Sequence, residues 1–398
     1  MSDSSFLLRN ARVVLPDHVF EATNVLIESG RIARLSTGSL PLTSDSVREE
    51  DLQGFTLVPG FIDLHIHGAV GVDTMDAMAA QLHQVSQFLV AHGITSWLPT
   101  LVPAPTETYR TAINSIQDAM ESAHRRQGDF QKAGARILGV HYEGPYVNNA
   151  QCGALRTAYF RSYSSPSDLE VLPAPESRDA IRMMTLAPEI EGGVELVKEL
   201  DRKGWIISIG HTRADLSVLD RAFNAGARHL THFMNAMPQL HHRSPGPVGW
   251  GLARDDVSCD IIADGIHLDP SVLQLVLKTK TSDRLTLISD SIAAAGKGDG
   301  EFEIWGETIV VKDGRTSNSR GSIAGSVITM LDAVRMMRSV GAGDTDVARM
   351  TASNPAKLLG LEHDLGSIEE GKRADLVALN DGAVKLVFVG GEIVYDAR

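Results

Sequence analysis

His65 and His67 stand two residues apart in Pro-Gly-Phe-Ile-Asp-Leu-His-Ile-His-Gly, which begins at Pro59. Positions i and i+2 of a β-strand point to the same face. Two imidazoles placed that way can hold one metal ion, although a buried strand with two hydrogen-bonded histidines has the same spacing. Further along, Glu143, His211, His232 and Asp290 each close a short, β-prone apolar segment. Imidazoles with a carboxylate make a borderline donor set suited to Zn²⁺, foremost, or to Fe²⁺, Mn²⁺ or Co²⁺. Glu143 has two oxygens and could bridge two ions, so one or two ions per chain are expected. Such ions serve hydrolytic chemistry. Asp290, in Leu-Ile-Ser-Asp-Ser, can take a proton from water and return it to a leaving amine. An Asp before Ser291 and Ile292 is also a common helix N-cap, but its place at the end of the last segment favours the proton-transfer role.

These residues need a frame that gathers strand ends. Eight β-rich segments, at 61–67, 94–100, 137–143, 181–188, 205–211, 229–232, 258–264 and 285–290, alternate mostly with helix-like stretches. Leu82, Val85 and Leu89 follow helical spacing, and 106–127, 191–203, 213–225, 271–280 and 326–340 also read as helices. This rhythm predicts an α/β fold, a (β/α)8 TIM barrel whose chemistry sits at the C-terminal ends of its strands. Those ends carry His65 and His67, Glu143, His211, His232, Asp264 and Asp290. His141 shares a face with Glu143 and reads as a supporting residue, and His229 reads as packing. Strand four, ending in Ala187-Pro188-Glu189, and the short strand six fit the pattern least well. Both chain ends differ, with strand-like stretches at 6–14, 25–29 and 31–35 and again at 375–379, 386–389 and 392–395. Neither end could bury much alone. The expectation is one small β-sandwich domain from 1–57 and 361–398, flanking a barrel domain over 58–360.

Composition narrows the classes. The chain has 398 residues, 43% of them hydrophobic, which is ample for a large core. Its net charge is −13 without a basic run, so nucleic acid is an unsuitable partner. No window resembles a membrane span, and the N-terminus lacks the pattern of a signal peptide. Cys152 and Cys259 read as reduced thiols, so a cytoplasmic location is expected. The stretch 296–300, Gly-Lys-Gly-Asp-Gly, lacks the spacing of a phosphate-binding loop and reads as a flexible loop after strand eight.

The chain resembles the amidohydrolase superfamily in its His65/His67 motif and in the tail from Asn354-Pro355-Ala356-Lys357 through Gly366, Gly371 and Ala374-Asp375. Within it, the chain is similar to the N-acetylglucosamine-6-phosphate deacetylases. The narrower signs are His141-Tyr142-Glu143-Gly144-Pro145-Tyr146, Gly210-His211-Thr212, Thr231-His232 with Asn235-Ala236-Met237, Ala263-Asp264-Gly265-Ile266-His267, and Ala324-Gly325-Ser326. The resemblance implies a distorted barrel with a small β-sandwich, and metal-dependent removal of the N-acetyl group of an amino-sugar 6-phosphate. It implies metal ligands at Glu143, His211 and His232, with His65 and His67 available for a second ion, and Asp290 as general base and acid. Substrate contacts are implied at Asn235, Ala236, Arg243, Asp264, His267, Ile323, Ala324 and Gly325. A homodimer is expected. Arg243 fits a phosphate by residue type, because its fork of donors matches phosphate oxygens.

One position departs from the family. A histidine usually stands two residues after Gly153, near the substrate carbonyl; here it is Leu155. Leucine donates no hydrogen bond, which keeps open a different N-acyl substrate, such as N-acetylgalactosamine 6-phosphate or an N-acyl amino acid. A non-catalytic scaffold is the remaining alternative, but scaffolds of this kind usually lose ligands, and this chain keeps them.

Overall fold

The computed structural model describes residues 5–38, 40, 47–125 and 134–398. The last positions of the expected 106–127 helix therefore lie outside the described residues, and the helix runs over Thr106–Arg125. Eight parallel strands form the barrel: Phe61–Ile66, Ile94–Leu101, Gly139–Glu143, Ile181–Leu186, Ile206–Ile209, His229–Leu230, Ser258–Ile262 and Leu285–Ile288. Each lies on one of the expected segments. Every strand pairs with the next, from one to eight. The strands are buried on both faces, as parallel strands under helices must be.

Strands eight and one do not form a continuous ladder. They are joined where the chemistry sits. The Asp290 amide donates to the His65 carbonyl at 3.0 Å, and the His67 amide donates to the Ser291 carbonyl at 2.8 Å. Below them the Asp63 carboxylate accepts from the amides of Ser289 and His65, both at 3.2 Å. The closure of the barrel and the position of the first histidine pair are thus one feature.

The expected helices are present, with shifted starts. The helix of Leu82, Val85 and Leu89 covers Ala79–Val90 and buries all three. The expected 213–225 helix begins at Leu216, because the Asp215 side chain caps it by accepting from the Val218 amide at 2.9 Å. The expected 326–340 helix begins only at Met330. Ser326 is held elsewhere: its hydroxyl donates to the Ser289 carbonyl at 2.5 Å and its amide to the Asp290 carbonyl at 2.7 Å. Near the C-terminal end, Asn354 donates from Nδ2 to the carbonyls of Ser282 and Leu285, each at 2.6 Å. That motif residue therefore pins the base of strand eight.

The two chain ends meet in one eight-stranded sheet, in which Leu376–Asn380 pairs antiparallel with Thr56–Pro59. Phe6 and Phe388 are three strands apart in its order, yet their rings meet edge to face at 5.4 Å. The sheet therefore curls over its own apolar core, which includes Leu8, Val25, Ile32, Leu57 and Leu376. The stretch at 296–300 is a loop through Asp299, as expected, and Gly300 begins the next element. That loop leads into a three-stranded antiparallel sheet, Gly300–Ile304, Glu307–Lys312 and Arg315–Ser317, which the sequence patterns do not mark.

Candidate metal centre

The six expected residues converge. His65, His67 and Glu143 form one cluster and Glu143, His211 and His232 another, with the ligand atoms of each within 4.8 Å of one another. Glu143 belongs to both. Its Oε1 stands 2.9 Å from His211 Nε2 and 3.1 Å from His232 Nε2, and its Oε2 stands 3.4 Å from His67 Nε2. Asp290 Oδ1 faces the first pair, 3.2 Å from His67 Nε2 and 3.4 Å from His65 Nε2. All six are buried. Three of them, His211, His232 and Asp290, have positive φ (47°, 32° and 51°) at their strand ends. Residues other than glycine seldom hold such backbone, and its clustering here follows the pattern of functional sites.

The surroundings orient the Nε2 atoms inward. His211 places Nδ1 2.7 Å from the Gln151 carbonyl, and His67 places Nδ1 3.3 Å from that of Thr100. A hydrogen bond at one ring nitrogen leaves the other to ligate. His232 is aimed through its backbone: its amide makes a very short bond to Asp260. Asp260 lies between it and His229, whose Nε2 is 3.1 Å away. His229 is thus a packing residue, as expected, but one that positions a ligand through Asp260. His141 is a supporting residue, also as expected, with Nδ1 2.9 Å from the Leu64 carbonyl and Nε2 2.8 Å from Thr185 Oγ1. Nothing in the sequence patterns marked Asp260, whose role depends on two strands lying side by side.

Four imidazoles and a shared carboxylate, buried and pointing at common centres, fit one or two divalent ions. His65 and His232 turn Nε2 toward Glu143 Oε1, at 3.7 and 3.1 Å, which places those nitrogens for an ion, while their Nδ1 atoms are buried without hydrogen-bond partners. Without an ion, protons take its place. Burial opposes charge on His67, yet Asp290 and Glu143 push its pKa up to about 10. His232 is pushed up to about 9 against the same opposition, chiefly by Glu143. Burial would raise the carboxyls, but His65, His211 and His232 hold Glu143 well below its usual range, and His65 and His67 lower Asp290.

The sign of the linkage follows. A raised histidine pKa stabilises the metal-free protein fully below about pH 6.5 and loses that contribution as pH rises through about 9 to 10. An ion needs neutral imidazoles and displaces those protons. Metal uptake should therefore release protons, and its affinity should rise with pH across that window. Calorimetric titration in buffers of different ionisation enthalpy measures this, and uptake without proton release would contradict it.

A cavity of about 310 Å³ opens onto the centre. His67, Glu143, His211, His232 and Asp290 line its floor, with Asn235, Ala236, His267, Ile323 and Gly325 from the expected substrate set. Asn235 Nδ2 is buried and has no hydrogen-bond partner, which leaves a donor for a ligand. Gly325 is needed for its lack of a side chain: at its φ of 55°, a Cβ would come within 2.8 Å of the Asp290 carbonyl oxygen. Three expected contacts are placed differently. Asp264 does not line the cavity but holds His267, accepting at Oδ1 from its amide at 2.8 Å with Oδ2 2.7 Å from its Nδ1. Ala324 is fully buried outside the cavity wall, and Arg243 is exposed and does not line it. Trp305, from the unanticipated sheet, does line it.

The family model of the amidohydrolases matches residues 56–394. The chain belongs to the amidohydrolase family. A curated amidohydrolase relative from Bacillus subtilis (strain 168), an N-acetylglucosamine-6-phosphate deacetylase, is 36% identical over 99% of this chain and 98% of its own. An N-acetylgalactosamine-6-phosphate deacetylase from Escherichia coli O157:H7 is 34% identical over 94% of this chain and 99% of its own. A solved Mycobacterium smegmatis N-acetyl-D-glucosamine-6-phosphate deacetylase variant, in complex with N-acetyl-D-glucosamine-6-phosphate, superposes with a TM-score of 0.86 at 29% identity, covering 98% of this chain and 99% of its own. As an amidohydrolase with such relatives, the chain is a hydrolase of amide bonds. Among the described residues no helix is long and apolar enough to cross a membrane.

Proposed function

We propose that this amidohydrolase removes the acetyl group from N-acetylglucosamine 6-phosphate, giving glucosamine 6-phosphate and acetate. The observation that carries the reading is Glu143 shared between two ligand clusters with Asp290 opposite, at the floor of one cavity. The named relatives act on amino-sugar 6-phosphates, and their similarity spans nearly the whole chain. Leu155 lines the cavity where the family has its histidine, but the rest of the site is kept, so the departure does not favour a different reaction.

Glu143, His211 and His232 would hold one divalent ion, with His65 and His67 offering a second place; Zn²⁺ is the first candidate, then Fe²⁺, Mn²⁺ and Co²⁺. When bound, such an ion makes hydroxide available near neutral pH and polarises a carbonyl. The chain's own residues do the rest. Asp290 takes a proton from water as the water oxygen bonds to the amide carbon. It returns a proton to the nitrogen as the C–N bond breaks. His267, fixed by Asp264, and the free amide of Asn235 orient the sugar, so that part of the barrier is met by positioning. Arg243 is assigned to the phosphate by its residue type, although it does not line the cavity. Arg243→Ala should raise KM for phosphorylated substrates and leave unphosphorylated ones unaffected. Equal effects on both would remove it from the phosphate site.

The working form is taken to be a cytoplasmic homodimer, a state that light scattering on purified protein measures. Acetate release from both epimers, N-acetylglucosamine and N-acetylgalactosamine 6-phosphate, with each of the four metals, tests the function. The glucosamine epimer should be the better substrate. A clear preference for the galactosamine epimer would move the assignment to that sugar.

A further inference from the structure

Trp305 stands at the tip of the hairpin formed by Gly300–Ile304 and Glu307–Lys312. Its φ is +53° and that of Gly306 is +75°, in a two-residue turn between Ile304 and Glu307. Such a turn ordinarily takes Asn or Asp at the first place, and a bulky aromatic there is held against its preference. The rest of the structure holds it. Ile304 and Ile309 pack on Ile292, Ala293 and Ala294, the residues that follow Asp290. Ala154 packs on the same cluster, and Arg320 donates to its carbonyl at 3.2 Å. The hairpin and the loop carrying Leu155 are therefore joined above the centre. The indole meets the His67 ring edge to face at 5.1 Å, and both Trp305 and Leu155 line the cavity.

The cavity has two kinds of wall. Asn235 and His267 offer polar groups suited to sugar hydroxyls. Leu155 and the ring faces of Trp305 offer mainly apolar surface beside His67, with the indole Nε1 the one polar atom of the pair, buried and without a hydrogen-bond partner. A substrate that places its sugar on the first wall turns its acyl chain to the second. We propose that Trp305, with Leu155, forms the acyl subsite and limits it to an acetyl group. This rests on the deacetylase reading above and adds the residues that set acyl length.

The test compares kcat/KM for N-acetyl-, N-propanoyl- and N-butanoyl-glucosamine 6-phosphate. An apolar pocket discriminates by about 10- to 200-fold for one methylene, so the wild type should strongly favour acetyl. Trp305→Ala should raise the butanoyl-to-acetyl ratio by about 10-fold or more, and Trp305→Phe should stay near the wild type. Leu155→Ala opens the same wall from another loop and should shift the ratio the same way, which keeps the test intact if the hairpin does not tolerate alanine. A residue with a merely structural role would lower all three rates alike. Ratios unchanged in both alanine variants, with an active wild type, would overturn the subsite alone. A wild type inactive on all three would overturn the deacetylase reading as well.

Discussion

Asp290→Asn should lower kcat by at least the ~10²–10⁴-fold that general acid–base catalysis contributes, while the metal content is unchanged. Asparagine keeps the shape and the φ preference of the position, and it can still face His65 and His67. It cannot accept a proton from water. The Asp290 amide joins strand eight to strand one and its carbonyl accepts from Ser326, so the backbone contacts survive the change. Elemental analysis beside steady-state kinetics checks it. Loss of metal together with activity would mean that Asp290 is chiefly a ligand.

Glu143→Gln should have the largest effect on the metal itself. Glu143 is the only residue common to both clusters, and its oxygens lie within 3.7 Å of all four ligand imidazoles. Even residues that only support ligands typically cost about 10–100-fold in affinity when replaced. Removing the shared carboxylate should therefore weaken both places by more than that, and turnover should fall below detection. His67 and His232 also lose the charge that helps keep them protonated in the metal-free protein. Their pKa values should drop toward the usual histidine range, which NMR titration of the ring protons would follow. A variant that retained full metal and turnover would remove Glu143 from the bridging role.

Much of this site was legible before the fold was known, for a physical reason. Barrel strands are short, apolar and closed by a polar residue, so His65, Glu143, His211, His232 and Asp290 announced both their strands and their common end. What stayed illegible depended on contacts between distant segments. Asp260 became meaningful only when strand seven lay beside the two-residue strand six, where it aims His232. Ser326 looked like the start of a helix and proved to be a clasp on Asp290. The sheet that carries Trp305 did show alternating burial in its first two strands and an Asp313-Gly314 turn between its second and third, but the glycines of 296–300 drew attention to a loop. Asp264 and Ala324, expected among the substrate contacts, do not line the cavity, and Asp264 holds His267, which does.

The most direct measurement of the central claim is kcat/KM for N-acetylglucosamine 6-phosphate against unphosphorylated N-acetylglucosamine, on protein stripped of metal and then reconstituted with Zn²⁺. The account predicts turnover that requires the metal and strongly favours the phosphorylated sugar. Equally poor turnover of both sugars by the reconstituted protein would contradict it.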